Sequence, residues 1–243
     1  MNLHRADPLE EIAAAAARMV VEEGLDFSAA KRRAVKQMGL GARTALPDNA
    51  CMEAAVREYI ALFCADTQAT ELQALRETAL LWMDRLSRFR PHLSGAVWHG
   101  WATRYSDIHI HLFCDDPKEA EWALLDHRVD YHPGTVNGRQ REPVQVLTLR
   151  TRSEALSQWV LVHLMVHDLD NLRGALLPDA EGRKPKGDLT AVRVPDIADE
   201  AAVTETAQRV RDRRAVFRSP DRERAGLQVD LAPLERANLR GAQ

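Results

Sequence analysis

The segment that begins at Asp107 contains the side chains best suited to bind a metal ion or to act in catalysis. Polar side chains there occupy every second position, at Asp107, His109 and His111, between apolar residues. This period of two predicts a β-strand with all three polar side chains on one face. One carboxylate and two imidazoles in that arrangement can bind Fe(II), Zn²⁺ or Mn²⁺. The same alternation is typical of the polar outward face of a half-buried sheet, so both interpretations stay open.

A second run, Trp159–Val166, predicts another strand and carries a histidine near its middle. His163 and, four residues later, His167 would share one face of it. With Asp107 and His109, His163 completes a candidate catalytic and metal-binding set. We predict that the two strands lie side by side, with the Asp107 and His163 side chains on one face.

The segment 95–113 reads Gly-Ala-Val-Trp-His-Gly-Trp-Ala-Thr-Arg-Tyr-Ser-Asp-Ile-His-Ile-His-Leu-Phe and resembles the nucleotidyltransferase superfamily. There, an apolar strand ends in a Gly-Ser turn, and the next strand carries two carboxylates that hold divalent cations against a nucleoside triphosphate. The resemblance implies a helix-rich preface, a small mixed sheet and a divalent metal cofactor (Mg²⁺, Mn²⁺ or Zn²⁺). It also implies nucleotide contacts at Gly100, Arg104 and Ser106.

The acids of that family are largely replaced in this chain. Asp107 stands at the first carboxylate position, but His109 stands at the second and His163 near the third. Mg²⁺ prefers oxygen ligands and binds imidazole poorly. Three alternatives follow: a site with a different metal, a scaffold that binds without catalysing, or a likeness of sequence pattern alone.

We therefore expect a nucleotide- or phosphate-binding protein with impaired or absent catalysis. A protein-interaction or regulatory module that uses the N-terminal helices is one alternative, and an active metal-dependent nucleotidyltransferase is another. The candidate partners are a nucleotide, a phosphorylated small molecule or a protein.

Composition limits the class of partner. The 243 residues carry 33 Lys and Arg against 36 Asp and Glu, a formal net charge of -3, so we do not expect nucleic acid as a partner, although a local basic patch stays open as an alternative. Four positive residues cluster in the second predicted helix and could meet phosphate or an RNA backbone, but they lack aromatic neighbours and also fit a solvated helix face. They are Lys31, Arg32, Arg33 and Lys36.

The cysteines and the apolar runs bear on location. Cys51, Cys64 and Cys114 show no CxxC spacing, which predicts neither a disulfide framework nor a cysteine zinc site and favours a reducing cytoplasm. The apolar run from Ile12 to Val21 is flanked by acids, unlike a signal peptide. No run reaches the roughly 18 apolar residues of a membrane span. We expect a cytoplasmic protein with no membrane partner.

The chain as a whole, including residues 29–39 and 46–49, is also similar to a group of proteobacterial proteins that often bear the name UDP-N-acetylmuramate–alanine ligase by transfer. That name implies a three-domain protein with a Gly-x-x-Gly-Lys-Thr/Ser phosphate loop. This chain contains no such loop. No Gly-x-Ser-x-Gly surrounds Ser94, Ser106 or Ser157, so serine hydrolysis is not expected either.

The order of helix and strand signals along the chain predicts an α+β fold. Residues 1–90 form a helical region, because start and stop signals recur at helical intervals. The predicted caps and stops are Asp7 with Pro8 and Gly24 for the first helix, Ser28 and Gly39 for the second, Asp48 or Asn49 for the third, and Pro91 after the fourth.

Residues 91–178 are expected to form the α+β core that the resemblance to nucleotidyltransferases implies. A short helix is expected from Pro117 to about His127, after the strand that begins near Asp107. The runs Val144–Leu149 and Trp159–Val166 predict an antiparallel hairpin.

Residues 179–243 are expected to be a linker followed by a loosely ordered charged tail. The linker, Asp179–Asp188, has little to bury, and one helix is plausible between Asp199 and Phe217. Truncation after Pro178 is therefore expected to leave the core intact.

Overall fold

The computed structural model describes residues 7–41, 43–138, 142–178 and 182–193. The helices are α1 (Pro8–Glu23), α2 (Phe27–Gln37), α3 (Asn49–Phe63), α4 (Gln68–Arg85), α5 (Gly95–His99), α6 (Lys118–Asp126), α7 (Leu172–Ala175) and α8 (Leu189–Arg193). The strands are β1 (His92–Ser94), β2 (Ile108–Phe113), β3 (Tyr131–Asn137), β4 (Pro143–Ser153), β5 (Gln158–His167) and β6 (Lys186–Gly187). They form one mixed sheet in the order β3-β4-β5-β2-β1-β6. The predicted α+β class, with a helical N-terminal region and a small mixed sheet, is confirmed.

Aspartate caps start the first three helices. The Asp7 carboxylate accepts a hydrogen bond from a first-turn N–H, and Gly24 ends α1 in the left-handed conformation, with φ 71°, as predicted. The cap of α3 is Asp48. For α2 the prediction was wrong: Asp26 is the cap, and Ser28 lies inside the first turn. An aspartate two residues earlier in the chain accepts the free N–H first.

Two apolar clusters divide the helices. Helices α1 to α3 pack around buried residues that include Ile12, Met52 and Val56. Helix α4 instead places Leu75 and Trp82 in the cluster that it shares with the sheet. The domain boundary near residue 90 stays a prediction, and the packing groups α4 with the strands that follow it.

The central strands are β2 and β5, which pair in parallel, while β4 and β5 form the predicted antiparallel hairpin. One side of the sheet, the apolar face, includes Ile108, Ile110 and Leu164 and packs against α4, α6 and α8. The opposite side is the histidine face, which carries six of the chain's nine histidines. They are His92, His109, His111, His132, His163 and His167.

The sequence pattern does not predict β1, β3 or β6. Strands β1 and β6 have three and two residues, too few for a period to show. Strand β3 contains Pro133 and Gly134, residue types that are depleted in strands. It lies at the edge of the sheet, where a proline costs little because no neighbour needs its missing N–H.

The residues from 182 to 193 pack against the core. Strand β6 pairs with β1, Trp98 Nε1 donates to the Lys184 carbonyl at 2.8 Å, and Val192 is 6% exposed. The expectation of a linker through Asp188 is therefore wrong for this part, because a two-residue strand and an aromatic contact hold it. The charged tail, with its expected helix between Asp199 and Phe217, lies outside the described residues.

Cys51, Cys64 and Cys114 are free thiols. Burial raises the pKa of the Cys114 thiol to about 11, which makes it a poor nucleophile. Among the described residues, no helix has the length and apolar character that crossing a membrane requires.

Candidate functional site

The parallel pairing of β2 with β5 brings Asp107 beside His163. Asp107 immediately precedes β2, and its Oδ2 lies 3.2 Å from His163 Nε2. The other ring nitrogen, Nδ1, lies 2.9 Å from Thr148 Oγ1 on β4. An Nε2–H that donates to the carboxylate leaves Nδ1 to accept from the threonine hydroxyl. The predicted neighbourhood of Asp107 and His163 is confirmed, and both nitrogens of the ring have partners.

His109 stacks on His163, with ring centroids 5.0 Å apart. Burial lowers the pKa of His109, and the neighbouring His163 lowers it further, against the opposing effect of Asp107. The turn after β1 comes close to this ring, since a Cβ at Gly95 would lie 3.5 Å from His109 Nδ1. Gly95 has φ +70°, a conformation that glycine adopts without strain.

A second imidazole pair lies farther along the same face. His111 Nδ1 is 2.7 Å from His167 Nε2, and His111 Nε2 is 3.0 Å from Ser94 Oγ. Burial places the pKa of His111 well below its usual range, and Lys186 and His167 add to the effect. Burial and Lys186 also lower the pKa of His167. Both rings are therefore neutral near pH 7, so that each can donate one hydrogen bond and accept one.

The three predicted nucleotide contacts lie in other surroundings. The Gly100 carbonyl accepts from Gln68 Nε2 at 3.0 Å, so this residue takes part in the packing of α4. Ser106 Oγ accepts from the Thr103 N–H at 3.0 Å within a turn. Arg104 extends its guanidinium to Gln158 Oε1 on β5 at 3.3 Å. Their roles in nucleotide binding stay predictions.

The turn that faces the histidines is Ser94–Gly95, which sequence reasoning missed by placing it at Gly100. The sequence signal for this turn was the pair Ser94 and Gly95 directly after the apolar Leu93. Because β1 has three residues, its period could not show where the strand ended. Thr148 and Lys186 were also missed, since strand pairing alone brings them here.

The donor set does not fit a magnesium ion. The one acid of the predicted set, Asp107, accepts from His163, and both nitrogens of His163 are hydrogen-bonded. Within the ranges that the structure describes, no group of three or more His, Cys, Asp or Glu side chains could hold a metal ion. The metal set of Asp107, His109 and His163 stays a prediction; in the structure Asp107 is hydrogen-bonded to His163, and His109 stacks on the His163 ring.

The histidine face is better suited to an anion than to a cation. The Thr148 hydroxyl is taken by His163, but where His111 Nε2 donates to Ser94 Oγ, the Ser94 hydroxyl is left to donate a hydrogen bond to a ligand. Lys186, which pairs with Ser94 in the β1–β6 register, adds a positive charge near His111. Phosphate oxygens accept hydrogen bonds from such donors.

A scan against protein-family models finds no match, and neither does a search of curated proteins. Several solved structures are similar in part. Cid1 in complex with the UTP analogue UMPNPP is 14% identical over 46% of this chain and 37% of its own, with a TM-score of 0.31. A Cid1 poly(U) polymerase mutant bound to MgATP is 16% identical over 45% and 38%, with a TM-score of 0.30.

A cytoplasmic RNA terminal U-transferase is 16% identical over 45% of this chain and 36% of its own, with a TM-score of 0.30. The chain thus spans between 36% and 38% of the length of these three structures. So partial a likeness supports no residue role and no activity for this chain. The comparisons support neither the ligase name nor the expectation that nucleic acid is not a partner.

Proposed function

We propose that the chain is a nucleotide- or phosphate-binding protein on a nucleotidyltransferase-like scaffold, with its ligand on the histidine face beside Asp107 and with impaired or absent catalysis. The contact between Asp107 Oδ2 and His163 Nε2, at 3.2 Å, carries the proposal. It engages the carboxylate that a catalytic magnesium ion would need, and it fixes the imidazole beside the stacked His109 ring.

The donors around this contact suit phosphate oxygens. Ser94 lies at the end of β1, and Lys186, on the neighbouring strand β6, pairs with it. His111 contacts Ser94 and carries no charge near pH 7, because burial lowers its pKa. Hydroxyl, imidazole and ammonium groups within one short region can share the oxygens of a phosphate.

The ring stack provides a place for a nucleobase. His109 and His163 lie with their planes 28° apart, and the His163 side chain is 23% exposed. A flat heterocycle can extend such a stack through its own face. The same region could therefore hold both a base and a phosphate, which favours a nucleotide over inorganic phosphate.

Titration calorimetry tests this function with ATP, GTP, CTP, UTP and inorganic phosphate, each with and without Mg²⁺. We expect nucleotide binding that changes less than about twofold with Mg²⁺, because the donor set selects phosphate and not the ion. The His163→Ala variant should weaken it by roughly tenfold, the effect of one lost base stack or charge-assisted hydrogen bond. The exposed His127→Ala variant is the matched control. Equal affinity in the two variants, or no binding by the wild type, contradicts the proposal.

Two other functions make different predictions. An active transferase should turn over a triphosphate with Mg²⁺ at about 1 per second or faster, which would overturn the non-catalytic part of the proposal. An interaction module is favoured by Phe63 on α3, which is 64% exposed and lies 4.6 Å from the Tyr59 ring. Phe63→Ala should then abolish partner binding without changing nucleotide affinity.

A further inference from the structure

The β4–β5 hairpin carries a charge that the composition of the whole chain conceals. Its two strands contain Arg150 and Arg152 and no aspartate or glutamate. The full chain has 36 acidic residues and a net charge of -3. Glu154, in the turn that joins the two strands, is the one acid between residues 143 and 167, so positive charge exceeds negative charge by one in the hairpin of a protein that is slightly acidic overall.

Strand pairing places this charge on the histidine face. Arg150 pairs with Leu161 and Arg152 with Trp159, in the same register that pairs Thr148 with His163. The four-residue span from Thr148 to Arg152 corresponds to about 13 Å along the strand. We call Arg150, Arg152, Leu161 and Trp159 the arginine–tryptophan strip, which extends from the candidate site towards the hairpin turn.

The aromatic ring of the strip is open to solvent. Trp159 is 56% exposed, and the Arg150 guanidinium lies 5.3 Å from its ring centroid. A second pair lies at the start of β5, beside Gln158, which faces the side of the sheet opposite Trp159: Arg104 reaches Gln158 and lies 5.9 Å from the ring of Tyr105, itself 54% exposed. Two aromatic rings, each next to a guanidinium, therefore lie near the start of β5.

We propose that the arginine–tryptophan strip binds single-stranded nucleic acid, with phosphates at Arg150 and Arg152 and an unstacked base on Trp159. A cationic groove with exposed aromatic rings is the combination that binds single strands with little sequence preference. An acidic peptide would use the arginines but not the flat ring, and a duplex keeps its bases stacked away from it. The inference corrects the expectation from net charge, because phosphates respond to the local field and not to the total charge.

Fluorescence anisotropy with short labelled RNA and DNA single strands of mixed sequence tests the strip. The charge reversal Arg150→Glu with Arg152→Glu should weaken binding by at least about tenfold, because it removes two phosphate contacts. The control Arg128→Glu with Lys118→Glu makes the same change in net charge at two exposed positions at the ends of α6 and should stay within about twofold. Melting temperatures of both variants check that they fold.

The Trp159→Ala variant separates base stacking from bare anion binding. We expect a loss of roughly tenfold for single strands and a smaller loss for a duplex of the same sequence. The proposal fails if the wild type binds no single strand, if the two charge-reversal variants lose equally, or if polyglutamate competes as well as an oligonucleotide. It also fails if Trp159→Ala has no effect.

This inference stands apart from the mononucleotide site. His163→Ala should leave oligonucleotide affinity within about twofold, while the uncharged change Trp159→Ala, four residues along β5 from His163, should leave the affinity for a single triphosphate within the same range. Failure of one experiment therefore does not decide the other.

Discussion

The two faces of the sheet are made by alternate residues of the same strands and meet different physical demands. Ile110 is fully buried on the apolar face, where burial of area stabilises the fold without regard to direction. His111, the next residue, faces the other way and contacts Ser94 and His167 through hydrogen bonds of defined direction. The residues of the apolar face must fill volume, whereas those of the histidine face must match the geometry of hydrogen-bond donors and acceptors.

Because the two faces differ in this way, substitutions on them should separate stability from function. Substitutions on the apolar face leave cavities that close only in part, so they affect the whole fold. The His109, His111, His163 and His167 side chains are only partly buried, so water can replace a lost partner. Variants of the histidine face should therefore fold and report mainly on ligands.

The largest expected effect compares these adjacent residues. Ile110→Ala should lower the free energy of unfolding by about 2–5 kcal/mol, because it leaves a cavity in the fully buried core. His111→Ala should cost about 1 kcal/mol, the net value of its hydrogen bonds. Urea unfolding of both variants measures the difference. Equal losses would show that the histidine face is as important to stability as the apolar face.

A second prediction tests whether the apolar face extends to β6. Gly187 lies so close to Trp98 that an added Cβ would fall 2.1 Å from its ring. Gly187→Ala should therefore cost about 1–3 kcal/mol through overpacking. Gly174→Ala is the control, since nothing lies within 4 Å of a Cβ there. If both variants unfold at the same urea concentration, β6 is not held in the manner described.

A third prediction concerns the replaced acid. His109→Asp places two carboxylates on one strand face and should strengthen magnesium-dependent nucleotide binding by ~tenfold, about 1.4 kcal/mol. Adding Asp107→Asn should abolish the gain. His132→Asp, on the same face but on the edge strand β3, controls for charge alone. Calorimetry with triphosphates and Mg²⁺ measures all of these variants, and an equal gain in His132→Asp would contradict the idea of a degraded metal site.

The smallest effect is the dependence of stability on pH. The folded protein lowers the pKa of His111 and His167 by burial and through Lys186, so the unfolded chain binds these protons more readily. Stability should therefore fall as the pH drops through about 6.5, the pKa of an unperturbed histidine. Lys186→Gln should make this fall shallower. Thermal melts between neutral and mildly acidic pH test it, and a gain in stability on acidification would rule it out.

Local signals made much of the fold predictable. Asp7, Gly24 and Asp48 mark helix ends through hydrogen bonds within a few residues, and alternation reveals β2 and the β4–β5 hairpin. Strands β1 and β6 could not be predicted from the sequence, because they have only two or three residues and are defined by pairing with other strands. The Ser28 cap was predicted wrongly because Asp26, an equally good capping residue, lies two residues earlier.

The site was predictable only where one strand carries it. Alternation indicates that Asp107, His109 and His111 share a face, and the histidines of β5 suggest a neighbour. Thr148 and Lys186 have no signal of their own, because strand pairing brings them to the rings. The metal interpretation did not anticipate that His163 would use both nitrogens on protein partners, since donor types in a sequence do not show where lone pairs point.

The position of β6 has a consequence for the order in which the chain folds. Leu93 of β1 pairs with Gly187, and about ninety residues separate the two, so closing this contact costs far more chain entropy than closing the β4–β5 hairpin. We expect the hairpin to form early and β1 to remain an open edge until β6 arrives. During synthesis, the sheet cannot be completed until the ribosome has released residue 187.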